Sequence, residues 1–229
     1  MESTLVFMDI DLTMVMTARA GRNAMARAWE RLYPEHPFPQ VPFAGRTDTA
    51  ISRDMFATVG ESNPSEKLVV RYRDMYLEAL PEALEEGRLR GGRVLDGVED
   101  LLFALKDHGV HLGLVTGNWY GGAEGKLRHY GLWDHFQVGA FGEDSASRSD
   151  LPPLAIKRAQ KLWDMSFDPR RIWIVGDAEL DVICAKDNGL RSLAVTTGMH
   201  SREQLSAHKP DQVVENLADT DSLLKLLLG

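Results

Sequence analysis

Residues 5–13 read Leu5-Val6-Phe7-Met8-Asp9-Ile10-Asp11-Leu12-Thr13: four apolar residues, then two carboxylates two positions apart. A short uninterrupted apolar run has no polar side to give to water. It reads as a strand covered on both faces, which is the situation of a parallel sheet. Similar runs recur at 112–115, 172–175 and 193–195, with a weaker one at 213–214. Helical patterns lie between the later runs. Val98, Leu101, Leu102 and Leu105 follow the i, i+3, i+4, i+7 spacing with Gly109 as a stop, and 154–163 and 182–186 read similarly. Strand and helix in alternation predict right-handed crossovers and helices on both faces of the sheet, an α/β doubly wound fold.

The rhythm breaks after the first strand. Residues 17–89 are patterned almost wholly as helix, with Met25, Trp29 and Leu32 sharing one face and Leu68, Tyr72, Met75, Tyr76 and Ala79 another. Ser62 or Asn63 is the expected cap ahead of Pro64, and a Pro-rich stretch at 33–42 separates two of the helices. Gly87, Gly91 and Gly92 mark the return. The expected organisation is therefore a core of 1–16 plus 90–229 and a helical cap domain of 17–89. A cap leaving the sheet just after residues 9–13 overhangs the carboxyl ends of the strands, where open α/β sheets bind ligands.

Bulk composition narrows the class. At 229 residues and 44% hydrophobic, the chain can bury a sizeable core. The formal charge is 26 − 34 = −8, which disfavours nucleic-acid phosphate as a partner. No apolar run reaches the roughly 18–20 residues of a membrane span. The N-terminal residues lack a basic region ahead of an apolar stretch, so the expectation is a cytoplasmic protein with no membrane partner. The single cysteine, Cys184, allows neither an internal disulfide nor a thiolate zinc site. It is expected to be a small buried hydrophobe. No patterning specifies an oligomeric state.

Four segments carry candidate chemistry. Asp9 and Asp11 follow the first strand directly, and carboxylates that close need a shared proton or a cation; a hard divalent ion such as Mg²⁺ suits oxygen ligands, while helix capping is the plainer alternative. Thr116, Gly117 and Asn118 end another buried run, where a hydroxyl and free amides can cradle a phosphate. Lys157 can balance an anion or simply face solvent beside Arg158 and Lys161. Gly176-Asp177 ends a third run, with Asp181 four residues on. Each has a bland reading by itself. Together, strand ends carrying Asp, Thr and Asp fall on one edge of a parallel sheet, and burying such an acidic cluster without a cation is costly.

This set resembles the haloacid-dehalogenase-like (HAD) hydrolase superfamily. Asp9-Ile10-Asp11-Leu12-Thr13 is similar to its Asp-x-Asp-x-Thr motif, Thr116 to its second motif, Lys157 to its third and Gly176-Asp177-x-x-x-Asp181 to its fourth. The helical segment, with Leu95-Asp96-Gly97-Val98 and Gly189-Leu190, resembles the phosphoglycolate-phosphatase-like branch. Two departures stand out: Ala178 sits where Thr or Ser is frequent, and the third motif lacks a Lys-Pro start. The resemblance implies a Rossmann-like core and a Mg²⁺-dependent phosphatase acting on a small phosphorylated metabolite. It implies that Asp9 is the nucleophile, Asp11 the acid and base, and Thr116, Gly117, Asn118 and Lys157 the phosphoryl-binding groups. Asp9, the Asp11 backbone carbonyl and Asp177 would hold the metal, and Asp181 would orient metal-bound water or Lys157. Arg46, in Gly45-Arg46-Thr47-Asp48, could reach an anionic substrate tail; the alternative is a solvated Arg46 beside an Asp48 helix cap. Competing readings are a phosphomutase of the same fold, a haloacid dehalogenase and a non-enzymatic phospho-acceptor domain.

Overall fold

The computed structural model describes residues 3–229; Met1 and Glu2, within the expected core range, lie outside the described residues. The strands are β1 (Leu5–Met8), β2 (Val15–Met16), β3 (Arg93–Val94), β4 (His111–Val115), β5 (Gly139–Ala140), β6 (Ile172–Gly176), β7 (Arg191–Val195) and β8 (Gln212–Val214). The helices are α1 (Ala20–Leu32), α2 (Asp48–Ala57), α3 (Glu66–Leu89), α4 (Val98–Asp107), α5 (Tyr120–His129), α6 (Leu151–Trp163), α7 (Glu179–Asp187), α8 (Arg202–Ala207) and α9 (Thr220–Leu228). Six strands form one sheet in the order β5-β4-β1-β6-β7-β8, and every pairing in it is parallel.

Alternation along β1 explains why its sequence is apolar throughout. Val6 and Met8 pack with α4, α5 and α9, through Leu101, Leu105, Leu127 and Leu223 among others. Leu5 and Phe7 face the opposite layer, α6 and α7, through Ala155, Ala159 and Cys184. Cys184 is thus a buried free thiol. The chain runs from β1 outward to β4 and β5, then returns across to β6. The switch point of the sheet therefore lies at β1, where doubly wound folds open a ligand crevice.

Three helices, α1 to α3, stand between β2 and β3, and these two short strands pair antiparallel as the stem of the insert (Val15 with Val94, Met16 with Arg93). The insert has its own core of Ala24, Trp29, Phe56, Tyr72 and Tyr76. Its third helix starts later than the Pro64 signal predicts: Ser65 is the N-cap, its Oγ accepting from the Leu68 amide at 3.3 Å, rather than Ser62 or Asn63. Trp119, a core residue just before α5, is buried in the insert's cluster against Tyr72 and Tyr76. Among the described residues no helix is long and apolar enough to cross a membrane.

Candidate active site

Asp9 follows β1, and its amide donates to the Val175 carbonyl at 2.9 Å, continuing the β1–β6 ladder one step past the strand. Thr116 follows β4, and Asp177 follows β6. Parallel alignment puts all three at the same edge, and all three are buried. Carboxylate oxygens of Asp9, Asp177 and Asp181 lie within 4.8 Å of one another. Asp181 sits in the first turn of α7, where its Oδ2 accepts from the Ala178 amide at 3.0 Å. Two glycines permit this crowding: a Cβ at Gly176 would overlap the Asp181 carboxylate, and one at Gly198 the Asp177 carboxylate. Asp177 Oδ1 also accepts from Thr13 Oγ1 at 3.3 Å.

The turn after β1 is tightly held. Leu12 has φ 58°, the left-handed region that costs a branched side chain roughly 1–2 kcal/mol. Thr197 Oγ1 donates to the Leu12 carbonyl at 2.5 Å and anchors this turn from β7's side. Asp11, on the same turn, points away from the acidic cluster. Its Oδ2 accepts from Lys126 Nζ at 2.5 Å and Asn118 Nδ2 at 2.9 Å.

The cation facing the acidic cluster is Arg148, not Lys157. Arg148 precedes α6 and is buried. Its Nη2 lies 3.1 Å from Asp9 Oδ1 and bonds closely to Asp181 Oδ1. The guanidinium also donates to the Gly45 carbonyl at 3.1 Å and the Val115 carbonyl at 3.4 Å. Lys157 is exposed, nearly two turns along α6. That helix buries Leu151, Pro152, Ala155 and Ala159, and a residue two positions beyond Ala155 is rotated about 200° from it. The task assigned to Asp181 changes accordingly: one oxygen holds Arg148 and the other caps α7.

Electrostatics follow from this packing. Burial, reinforced by repulsion from Asp181 and Asp9, holds the Asp177 carboxyl well above the ordinary carboxylate range. Burial pushes Asp181 up to about 7 against the pull of Arg148. Burial alone would lower the Arg148 guanidinium, but Asp181 and Asp9 more than offset it and hold it raised. Three buried carboxyl groups crowd around one guanidinium, and Asp9 Oδ1 has no hydrogen-bonding partner despite its proximity to Arg148. Those are the properties of a set of oxygen donors that accepts a hard divalent cation.

The second strand tip is built as follows. Thr116 Oγ1 accepts from both the side-chain and backbone nitrogens of Asn118, at 2.9 and 3.3 Å. The Asn118 amide expected to face a phosphate is therefore turned onto Thr116. A Cβ at Gly117 would overlap the Arg46 carbonyl oxygen, so the loop ahead of α2 passes directly over this strand tip. The same loop gives Thr47, which is the N-cap of α2, and Asp48, which is not: Asp48 Oδ2 accepts from the Trp119 amide at 2.9 Å. Burial, opposed by Lys126 and the Trp119 amide, raises Asp48 to about 7. Arg46 lines the cavity and is partly exposed, and its guanidinium pairs with Asp54 at 2.6 Å. A cavity of about 520 Å³ separates core from insert and is lined by Asp9, Asp11, Asp177, Arg148 and Lys126 on one side and Met25 and Ile51 on the other.

Sequence reasoning missed Arg148, Lys126 and Asp48. The only signal for Arg148 was a lone cation in the polar loop at 142–150, between β5 and α6.

Comparison with known proteins agrees with this geometry. The HAD-hydrolase-like family model matches residues 150–220. A Dickeya dadantii protein named probable phosphatase IndB is 26% identical over 97% of this chain and 95% of its own length. Phosphoglycolate phosphatase of Vibrio vulnificus is 32% identical over 53% of this chain and 52% of its own. Among solved structures, CbbY from Rhodobacter sphaeroides in complex with phosphate superposes with a TM-score of 0.73 at 20% identity, covering 96% of each chain. The chain is thus similar to HAD-like hydrolases, with named phosphatases, a phosphoglycolate phosphatase among them, as relatives in sequence and a shared fold among solved structures.

Proposed function

We propose that this protein hydrolyses small phosphate monoesters, phosphoglycolate-like among them, at the β1–β4–β6 edge, as a cytoplasmic Mg²⁺-dependent phosphatase. The single observation that carries the reading is the convergence of Asp9, Thr116, Asp177 and Arg148 at one edge of the sheet. The Asp9 carboxylate attacks phosphorus, the bond from phosphorus to the ester oxygen breaks, and an aspartyl-phosphate forms. Asp11 gives its proton to the departing oxygen, then takes one from the water that releases phosphate from Asp9. Thr116 and Gly117 bind phosphoryl oxygens, and Arg148 balances their charge where Lys157 was expected to. Asp9, the Asp11 carbonyl and Asp177 are the residues that would hold Mg²⁺, which when bound offsets charge between an anionic ester and an anionic nucleophile. The helices α1 to α3 act as the cap that covers the cavity.

The test is a panel of phosphate esters with free phosphate measured, in Mg²⁺ and in EDTA, on wild type and Asp9→Asn. Multiple turnover in Mg²⁺ is expected, abolished by EDTA and by the substitution. Undiminished turnover in Asp9→Asn would sink the assignment. Transfer of phosphate to a sugar without its release would favour the mutase reading.

A further inference from the structure

Lys126 is only 4% exposed, and the reaction above gives it no task. It lies in the second half of α5, beneath the insert. Three glycines bring the insert down on that helix: a Cβ at Gly121, Gly122 or Gly125 would stand 2.9 Å from Leu77, 2.8 Å from Tyr76 Oη or 3.2 Å from Leu80, all on α3. Gly21, in the first turn of α1, makes room from the other side, since a Cβ there would lie 3.1 Å from Lys126 Nζ. Within this slot Nζ donates to Asp11 Oδ2 at 2.5 Å and to Asn118 Oδ1 at 2.6 Å.

The second of these bonds fixes the first. A lysine ammonium has donors and no acceptor, so Asn118 must present its oxygen to Lys126 and its Nδ2 to the other side. There Nδ2 donates to Thr116 Oγ1 and to the same Asp11 Oδ2. Two donors thus converge on one oxygen of Asp11. Its other oxygen, Oδ1, has no hydrogen-bond partner among the described residues, and Asp11 lines the cavity.

We infer that Lys126 is a positioning residue for Asp11: with Asn118 it clamps Oδ2, fixes the rotation of the carboxyl group, and leaves Oδ1 as the atom that exchanges a proton with the ester oxygen. The inference rests on the acid–base reading of Asp11. It predicts that losing Lys126 harms proton delivery more than phosphoryl transfer itself.

The experiment compares kcat/KM of wild type and Lys126→Met, in Mg²⁺, for p-nitrophenyl phosphate and glycerol phosphate. The aryl oxide leaves without a proton, whereas the alkoxide needs one. On glycerol phosphate a fall of about 100-fold or more is expected, the size of a general-acid contribution, against less than about 10-fold on the aryl ester. Gly21→Ala is the second variant: it suits a helix but crowds Nζ, and it should show the same ordering with a smaller loss. Equal losses on both esters in both variants, or no loss in either, overturn the inference. Should Lys126→Met not fold, Gly21→Ala and Lys126→Gln decide it by the same ratio. A wild type inactive on every ester would refute the phosphatase reading instead.

Discussion

Replacing Arg148 by Met removes the guanidinium that faces Asp9 and Asp181 across a buried contact. Taking one partner from a buried ion pair costs about 3–5 kcal/mol, because the charge left behind is neither solvated nor paired. For a chain of this size about 2–4 °C of Tm accompany each kcal/mol, so Arg148→Met should melt about 6–20 °C below wild type in EDTA. Lys157→Met is the control. That side chain is exposed on α6, and its loss should stay within about 0.5 kcal/mol. The two variants should separate in turnover as well: a loss of about 10²–10³-fold for Arg148→Met, the scale of a missing charge-stabilising donor, and near wild-type turnover for Lys157→Met. Circular dichroism melts and a phosphate-release assay read both quantities. Equal activity losses in the two variants, or an Arg148→Met melt within 2 °C of wild type, would refute the assignment of the site's cation to Arg148.

Two further outcomes follow from the buried carboxylates. Asp48 holds its proton to about 7 in the folded protein, against 3.8 ordinarily. The folded state therefore binds more protons than the unfolded chain between those values, and the group's contribution to stability is lost as pH rises from about 4 to 7. Three units at 1.36 kcal/mol set an upper scale of about 4 kcal/mol, so Asp48→Asn, which keeps an acceptor for the Trp119 amide, should gain about 2–4 kcal/mol on wild type between pH 4 and pH 8 in denaturant titrations; parallel pH profiles would show that Asp48 is not raised. Adding Mg²⁺ at about 100 times its Kd should stabilise the wild type by about 2.7 kcal/mol through mass action, visible as a higher melting temperature, and Asp177→Asn should abolish the shift. A shift retained in that variant would remove Asp177 from the metal site.

What the sequence disclosed, and what it concealed, divides by the length of the side chain. Strands covered on both faces have to be apolar, so β1, β4, β6 and β7 stood out as runs; β5, two small residues at Gly139–Ala140, had no run to show. Asp and Thr reach only one or two bonds beyond Cβ, so a residue of this kind that serves a strand-edge site has to follow the strand itself. Asp9, Thr116 and Asp177 do, and their positions were legible. Arginine and lysine carry their charge some 6 Å from the backbone on a flexible stem. A cation for the same site can start from any nearby loop or helix, and its place in the chain is correspondingly free. Lys157 matched the order of motifs but sat on the wrong face of α6, while Arg148 arrived from the short 3-10 turn that leads into that helix, nine residues earlier. Lys126 was hidden more deeply. In Glu124-Gly125-Lys126-Leu127-Arg128 it looks like one more solvated charge, and what buries it is the insert, with Gly21 of α1 against Nζ and with Tyr76, Leu77 and Leu80 of α3 settling on the glycines of α5. Its burial is therefore a property of how the insert meets the core, so variants that lift α3 from α5, such as Gly122→Leu against Tyr76, should hydrate Lys126 without touching a single residue of the acidic cluster.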